Sequence, residues 1–439
     1  MHLKGFILRE EKINSWNNTY FSKANVVYPK GIYELKKLIM LLKKKNEKYL
    51  IRTGACSYDS KSINPSLDTI IISLSHFKKI KKINITKKII EVEAGVLISE
   101  IIKEVKKKKL TLYSVPGGDN ITVGGAISAN TIGKDSSAAI SSFGDSLEYL
   151  VVLAEDGTVK KISKKNKSFR NYIGAFGMQG IILKSGIKVK NIKTENILLT
   201  TKIINSFHEI RNEFKKKFDY HYIQIDPFFR KKNFAISFRG NISINNDKIY
   251  KNINLKVHFL DKLIFKLCSF FLNYFTWKIF YKLFFYKNKN LKQDIDIHNF
   301  HYSSKYKHLV PLICRNGLID YEIMIKNNFD FVMKKIALFL ENNKIYPIYI
   351  IVKKLYKSKN KFFYQFNDNG YAVAISFNKT SINSQQLKSF KILLKKNKLR
   401  INLSKTDDLL VASKGNNNLF LSLYKKMLLK NYEISRKRA

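Results

Sequence analysis

The sequence predicts an α+β protein of more than one domain. Length is the first reason: 439 residues exceed what a single core organises. The second is pattern, since short β-rich runs are interleaved with amphipathic helices in both halves of the chain. The third is a long, backbone-rich stretch at 116–144, PGGDNITVGGAISANTIGKDSSAAISSFG, whose glycines and small polar residues supply little core. Apolar residues threaded through it (Val115, Ile121, Val123, Ile127, Ile140, Phe143) predict that it is ordered. Glycine lets the main chain approach a ligand closely, and successive N–H groups form concave sites for anions. The stretch therefore reads as a ligand cradle, with a surface loop as the plainer alternative.

In chain order, 26–29 is a short strand stopped by proline. Ile32, Leu35, Leu38, Ile39 and Leu42 then recur at helical spacing. A strand at 49–52 runs into TGACSYDS, a strand-to-turn junction of the kind that grips phosphate. Strands follow at 69–73 and 89–95, then a helix through VLISEIIKEVKKKKL. Beyond the cradle, 147–153 and 157–162 flank the Asp156-Gly157 turn as a hairpin. Glycines 174, 177 and 180 precede an alternating strand over 181–189. The second half reads as strands at 220–226, 234–239, 321–325, 347–352, 371–377 and 399–403, with helices at 329–342 and 384–396. Between them, 258–290 is dense in aromatic residues broken by lysines. It reads either as a core or subunit-contact helix, or as an amphipathic segment lying in a membrane interface.

Composition narrows the function classes. At 45% hydrophobic and 13% aromatic the chain is globular, and its formal charge of +48 is extreme. The lysines run from end to end beside asparagine and isoleucine, a compositional bias placing them on solvated faces, yet the surface still favours anionic partners. Nothing resembles a compact nucleic-acid module, so no specific nucleic acid is expected. Cys56, Cys268 and Cys314 offer neither a disulfide framework nor a metal-ligand spacing, and no metal is expected. No leader-like or membrane-spanning apolar run is evident, which predicts a cytoplasmic protein, peripheral at most at the inner face of the membrane.

Set together, the pieces of residues 28–190 resemble the FAD-binding domain of the vanillyl-alcohol oxidase and p-cresol methylhydroxylase flavoproteins. They are P-x-G-x-x-E-L (29–35), I-R-T-G-A-C-S-Y (51–58), V-E-A-G-V (92–96), P-G-G-D-N-I-T-V-G-G-A-I-S-A-N (116–130), G-K (133–134), S-F-G-D (142–145), A-E-D-G (154–157) and G-M-Q-G-I-I (177–182). The resemblance implies a two-subdomain FAD-binding domain of the p-cresol methylhydroxylase type over 1–192. A substrate domain built on an antiparallel sheet with helices would occupy 193–400, and 401–439 would return to the FAD domain. It implies FAD contacts from Arg52, Thr53, Gly54, Ala55, Cys56, Ser57, Tyr58, Gly117, Thr122, Val123, Gly124, Gly125, Ala129, Asn130, Thr131, Ile132, Ile182 and Asn402. Ile132 stands where many members carry the histidine that attaches flavin, so the FAD is expected to be non-covalent.

Within that family the chain most resembles oxidases of prenyl-phosphate-linked pentoses, through T-V-G-G-A-I, G-K and S-F-G and through GLIDYE (317–322), VKKL (352–355) and RINLSK (400–405). Carried over, Lys405, Lys134, Glu322 and Lys354 are the implied catalytic groups, Lys405 handling a proton or orienting substrate, with Lys353 competing with Lys354. Glu322 replaces a glutamine of that pattern, Asn402 a tyrosine, and Ala372 and Ala374 stand at polar and cysteine positions. The expected activity is oxidation of a sugar hydroxyl as the oxidative half of an epimerisation, with a separate NAD(P)H-dependent short-chain ketoreductase as partner. An aldonolactone or alditol oxidase is the near alternative. A basic membrane- or nucleic-acid-binding protein with a vestigial flavin fold is the alternative of another class.

Overall fold

The structure, a computed structural model, describes residues 5–58, 69–81, 83–118, 120–135, 139–154, 156–231, 233–243, 258–301, 310–314 and 316–406, with Leu3 and Ile63. The chain begins with β1 (Arg9–Asn14) and β2 (Phe21–Val27), an antiparallel pair. After α1 (Ile32–Lys44), β3 (Lys48–Arg52) and β4 (Thr69–Ser73) pair in parallel, giving a four-stranded sheet of order β1-β2-β4-β3. β1 escapes prediction because its REEKIN sequence carries no apolar alternation, as an edge strand allows. β5 (Ile89–Glu93), α2 (Ile98–Lys106) and β6 (Leu110–Leu112) lead to the glycine-rich stretch. Within that stretch lie a short helix, α3 (Val123–Ser128), and a 3-10 turn, Phe143–Ser146.

β7 (Leu147–Leu153), β8 (Val159–Ser163) and β9 (Ile181–Asn191) join β5 in an antiparallel sheet of order β5-β9-β7-β8, with β6 on the far end of β9. One apolar core serves both sheets: Leu35, Leu38 and Leu42 of α1 meet Ile70 and Ile72 of β4, Ile101 and Ile102 of α2, and Leu150 and Ile187. Each such side chain contributes about 1.5–3 kcal/mol on burial.

The rest forms an eight-stranded antiparallel sheet. Its elements are β10 (Asn196–Ile204), α4 (Phe207–Glu213), β11 (Tyr220–Ile225), β12 (Ala235–Ile242), α5 (Phe259–Phe271), α6 (Tyr274–Asn288), β13 (Lys292–Asp296), α7 (Ile297–His301), α8 (Val310–Ile313), β14 (Leu318–Ile325), α9 (Phe329–Asn342), β15 (Tyr349–Leu355), β16 (Gly370–Asn378), α10 (Ser384–Lys396) and β17 (Arg400–Ile401). The strand order is β13-β10-β12-β11-β15-β16-β14-β17. Apolar residues of α4, α9 and α10 cover one face, where Ile210, Met333, Leu340 and Phe390 pack on Ile223, Ile323, Ile350, Val373 and Ile375. α6 covers the β10–β12 end of the other face with Tyr281 and Phe285.

The two lobes are joined at several points. Leu318 donates its N–H to the Asn17 carbonyl (2.9 Å), and the Asn17 amide donates to the Leu318 carbonyl (2.8 Å). Lys106 of α2 reaches Asp296 (2.6 Å) and Glu195 (3.1 Å) across the boundary. Residues 357–369, between β15 and β16, leave the sheet and pack on the first lobe. There Ser358 and Asn360 donate to Asp145 at 2.6 and 2.8 Å, Asn367 donates to the Ser141 hydroxyl at 2.5 Å, and Phe363 N–H donates to the Arg170 carbonyl at 3.0 Å. Arg400 and Ile401 pair with β14, and beyond them Lys405 lies 4.4 Å from the Tyr58 ring of the first lobe. The predicted return of 401–439 to the first lobe otherwise lies outside the described residues.

Candidate active site

The uncovered face of the sheet faces the first lobe. Strand alternation decides what it shows. Tyr321, Ile323 and Ile325 of β14 point into the helix-covered core, so Asp320, Glu322 and Met324 point the other way. On β16 the same parity exposes Ala372, Ala374 and Ser376. Ala374 stands opposite Glu322, and Ala372 opposite Lys353. Across these small side chains the longer ones of the two flanking strands meet. Lys353 Nζ lies 3.5 Å from Glu322 Oε1. The Asn402 amide donates to Glu322 Oε2 at 2.6 Å, and the Asn402 backbone N–H donates to the Glu322 carbonyl at 2.8 Å. The Tyr364 hydroxyl donates to Asn402 Oδ1 (3.1 Å) and accepts from Leu403 N–H (2.7 Å), which fixes the amide's orientation.

A second carboxylate sits two residues away. Asp320, fully buried, accepts from the Ser376 hydroxyl and from Lys405 Nζ, the latter at 3.2 Å. The Lys405 ammonium also lies 4.4 Å from the centre of the Tyr58 ring, a cation–π contact. Tyr58 comes from the turn after β3 and leans on Trp16 at 4.6 Å. The predicted turn of the first lobe and the predicted lysine of the second therefore meet at one place.

The electrostatics assign protonation states. Burial alone would raise the Glu322 carboxyl, but Lys353, Lys405 and the Asn402 amide outweigh it and hold Glu322 below its ordinary value. Burial alone would lower Lys405, but Asp320, Tyr58, Glu322 and Tyr349 outweigh it and raise the ammonium well above its ordinary value. Lys405 is thus a fixed cation, which corrects the expectation that it could take a proton. Burial pushes the Tyr58 phenol up to about 12, so it stays protonated.

The cradle is built by two segments in contact. Thr122 donates its hydroxyl to Thr53 Oγ1 (2.8 Å), and the Cys56 thiol donates to the carbonyls of Gly54 (3.1 Å) and Asn120 (3.2 Å). Gly54 has no room for a side chain: a Cβ there would lie 2.8 Å from Thr122 Cγ2 and 2.9 Å from the Asn120 carbonyl. Ala55 takes the left-handed conformation, φ 56°, which turns the chain sharply. Among the described residues no protein acceptor engages the N–H of Gly54 or Ala55. Thr131 Oγ1 is likewise buried without a protein partner. A crowded glycine, backbone donors without protein acceptors and a buried hydroxyl without a partner fit a polar cofactor with anionic groups.

The structure redistributes the other expected contacts. Val123 N–H and Gly124 N–H donate to the carbonyls of Val96 (2.9 Å) and Ala94 (2.8 Å), and Gly125 N–H donates to Thr122 Oγ1 (3.4 Å). The first two amides fasten α3 to the turn after β5 and the third caps α3 itself, so none of the three is left for an anion nest; at Gly124 an added Cβ would lie 3.1 Å from Ala94 Cβ. Ile182 belongs to the first lobe's core. Asn130 ties the lobes together, its amide donating to the Tyr364 carbonyl (3.3 Å) while its Oδ1 accepts from Gly144 N–H (3.1 Å). Ala129 ends α3, and Ile132 packs beside the apolar cluster of Ala175, Met324, Ala372 and Leu403 between the lobes. Arg52 donates to the Asn14 carbonyl (3.0 Å) and is drawn down by burial. Gly117 and Ser57 lie on the same two segments, with Ser57 accepting from Trp16 N–H at 2.8 Å.

Of the expected catalytic lysines, Lys354 points to the opposite face and donates to the Phe214 carbonyl (3.2 Å), so Lys353 takes its place by strand parity. Lys134 lies over Tyr222 (4.7 Å) and Phe300 (5.4 Å), toward the β10–β12 end of the face. Sequence reasoning missed Asp320 and Ser376. Asp320 was legible as the residue two before Glu322 on one strand; the tie of Tyr364 to Asn402 had no local signal. Among the described residues no group of His, Cys, Asp and Glu is placed to hold a metal ion.

Residues 24–163 match the profile of an FAD binding domain. The fold is shared with a cholesterol oxidase structure from Brevibacterium sterolicum, which superposes with TM-score 0.70 over 92% of this chain and 87% of that one, at 10% identity. The first lobe is thus an FAD-binding domain of the p-cresol methylhydroxylase type, and FAD is its cofactor. The chain is similar to decaprenylphosphoryl-beta-D-ribose oxidase of Mycolicibacterium smegmatis, 26% identical over 143 residues, 32% of this chain and 31% of that protein. It is similar also to L-gulonolactone oxidase of Mus musculus, 23% identical over 173 residues, 38% of each chain. These matches span about a third of the length of the curated relatives.

Proposed function

We propose that the protein is an FAD-dependent oxidoreductase that oxidises a CH–OH group of a sugar. The observation that carries this reading is the pair Glu322 and Lys405, one held as a carboxylate and the other as an ammonium, on the sheet face opposite the FAD-binding turn. FAD, when bound, supplies a two-electron acceptor for the C–H bond. The protein supplies the rest. Glu322 is the group able to accept the hydroxyl proton, since Asn402 and Lys353 hold it ionised and oriented. Lys405, a cation anchored by Asp320, stabilises negative charge that develops on the substrate oxygen or beside it. The turn at 53–58 with Thr131 would hold the cofactor. Ile132 offers no imidazole for covalent attachment at that position, which supports non-covalent binding of FAD.

As substrate we propose a prenyl-phosphate-linked pentose, supported by the similarity to decaprenylphosphoryl-beta-D-ribose oxidase. Its keto product is the substrate class of an NAD(P)H-dependent ketoreductase, and the two steps together would epimerise one carbon. The similarity to L-gulonolactone oxidase supports a second reading, a soluble aldonolactone. Anaerobic mixing of the flavin-loaded protein with both substrate classes separates them. Bleaching of the flavin by the prenyl-linked sugar and not by lactones is expected, the reverse favours the second reading, and bleaching by neither overturns both.

A further inference from the structure

The aromatic segment between β12 and β13 folds as two helices with an apolar face that the described residues leave uncovered. On α5, Phe259, Leu260, Leu263, Leu267, Phe270 and Phe271 are all exposed, Phe259 by 77% and Phe271 by 71%. At 100° per residue these positions form one stripe of roughly 120° on the helix circumference. α6 is apolar on two sides. Its inner side buries Tyr281, whose hydroxyl donates to the Ile348 carbonyl (2.9 Å) and accepts from the Gln224 amide (3.1 Å). Its outer side exposes Phe275, Ile279, Leu283 and Tyr286. Clustered exposed apolar surface of this kind marks an interaction site.

Charge identifies the occupant. Lys262, Lys266, Lys278 and Lys282 are exposed and flank the apolar positions, and Asp261 is the lone acidic residue from 259 to 288. A second copy of the chain would bring these lysines against their own counterparts, since a two-fold interface pairs a patch with itself. An anionic bilayer meets both features: acyl chains accept the aromatic residues while lysines reach up to headgroup phosphates. No helix among the described residues is long and apolar enough to cross a membrane. We infer that α5 and α6 form a peripheral docking surface that lies in the interface of an anionic phospholipid membrane. This holds whether or not the sugar chemistry above is right.

Co-sedimentation of the FAD-loaded full chain with vesicles tests it, comparing phosphatidylglycerol–phosphatidylcholine with pure phosphatidylcholine. Salt at about 0.5 M screens the general basic surface to a Debye length of about 4 Å. The wild type is expected to favour the anionic vesicles and to retain binding in that salt. A variant combining Phe259→Ser, Leu267→Ser, Phe271→Ser and Phe275→Ser should lose at least about tenfold in partitioning, because each removes apolar surface that the bilayer would bury. Its flavin absorption and melting temperature should stay unchanged. A second variant, Lys278→Glu with Lys282→Glu, should lose the preference for anionic lipid. The inference is overturned if the wild type does not bind, or if the four-serine variant binds as well as the wild type. It is also overturned if those serines instead turn a solution dimer into a monomer.

Discussion

Glu322 and Lys405 share one buried site, and the partners of each keep it in its charged form. Glu322→Gln keeps the Asn402 contact within reach of a rotated amide and removes the proton acceptor. Turnover is expected to fall about 10²–10⁴-fold with FAD still bound, read by steady-state kinetics beside the flavin spectrum. Because Glu322 is held below its ordinary value, the acid limb of the pH–rate profile should fall below the usual glutamate range. Its share of stability is present above the unfolded value and is lost as pH falls through the depressed folded value. Lys405→Met strands Asp320 without its cation and should cost about 3–5 kcal/mol as well as activity, measured by denaturant unfolding. Asp135 behaves in the opposite sense. Burial lifts its carboxyl to about 7, although Val115 N–H donates to it at 2.8 Å. A raised folded value means that stability is complete below the unfolded carboxyl range and drains away as pH rises to about 7. Asp135→Asn should therefore raise the melting temperature at pH 8 and leave it little changed at pH 4, where the native carboxyl is already neutral.

At the scale of elements, the turn at 53–58 and α3 act as one piece. Gly54→Ala forces a methyl group against Thr122 and the Asn120 carbonyl, an overpacking of about 1–3 kcal/mol that should also weaken FAD retention, checked by flavin release on dilution. The same pair shows what was legible in the sequence. The motifs that lead to FAD are contiguous, and glycine spacing announces them. Their division of labour is not, because the amides of Val123 and Gly124 are consumed by carbonyls of the turn after β5, a contact between distant segments. Parity along β14 and β15 made Asp320 and Lys353 readable in principle, yet choosing between Lys353 and Lys354 required knowing which face α4, α9 and α10 cover. The aromatic segment was visible as a composition, while its division into two helices with one outward stripe needed the packing of Tyr281 and Phe285 against the sheet.

For the molecule as a whole, the lobes that the chain order suggests are laced together. Gly174, at φ +74°, passes so close to residue 364 that a Cβ there would collide with the Tyr364 carbonyl. Asp145 accepts from Ser141 and Ser142 on its own lobe and from Ser358 and Asn360 on the other. The Lys106 bridge to Asp296 and the paired contacts of Asn17 with Leu318 add two more ties. Such lacing makes neither core an independent thermodynamic unit, because exposing one leaves the other with unsatisfied buried groups. Differential scanning calorimetry should show a single cooperative transition whose calorimetric and van't Hoff enthalpies agree, where hinged lobes would give two.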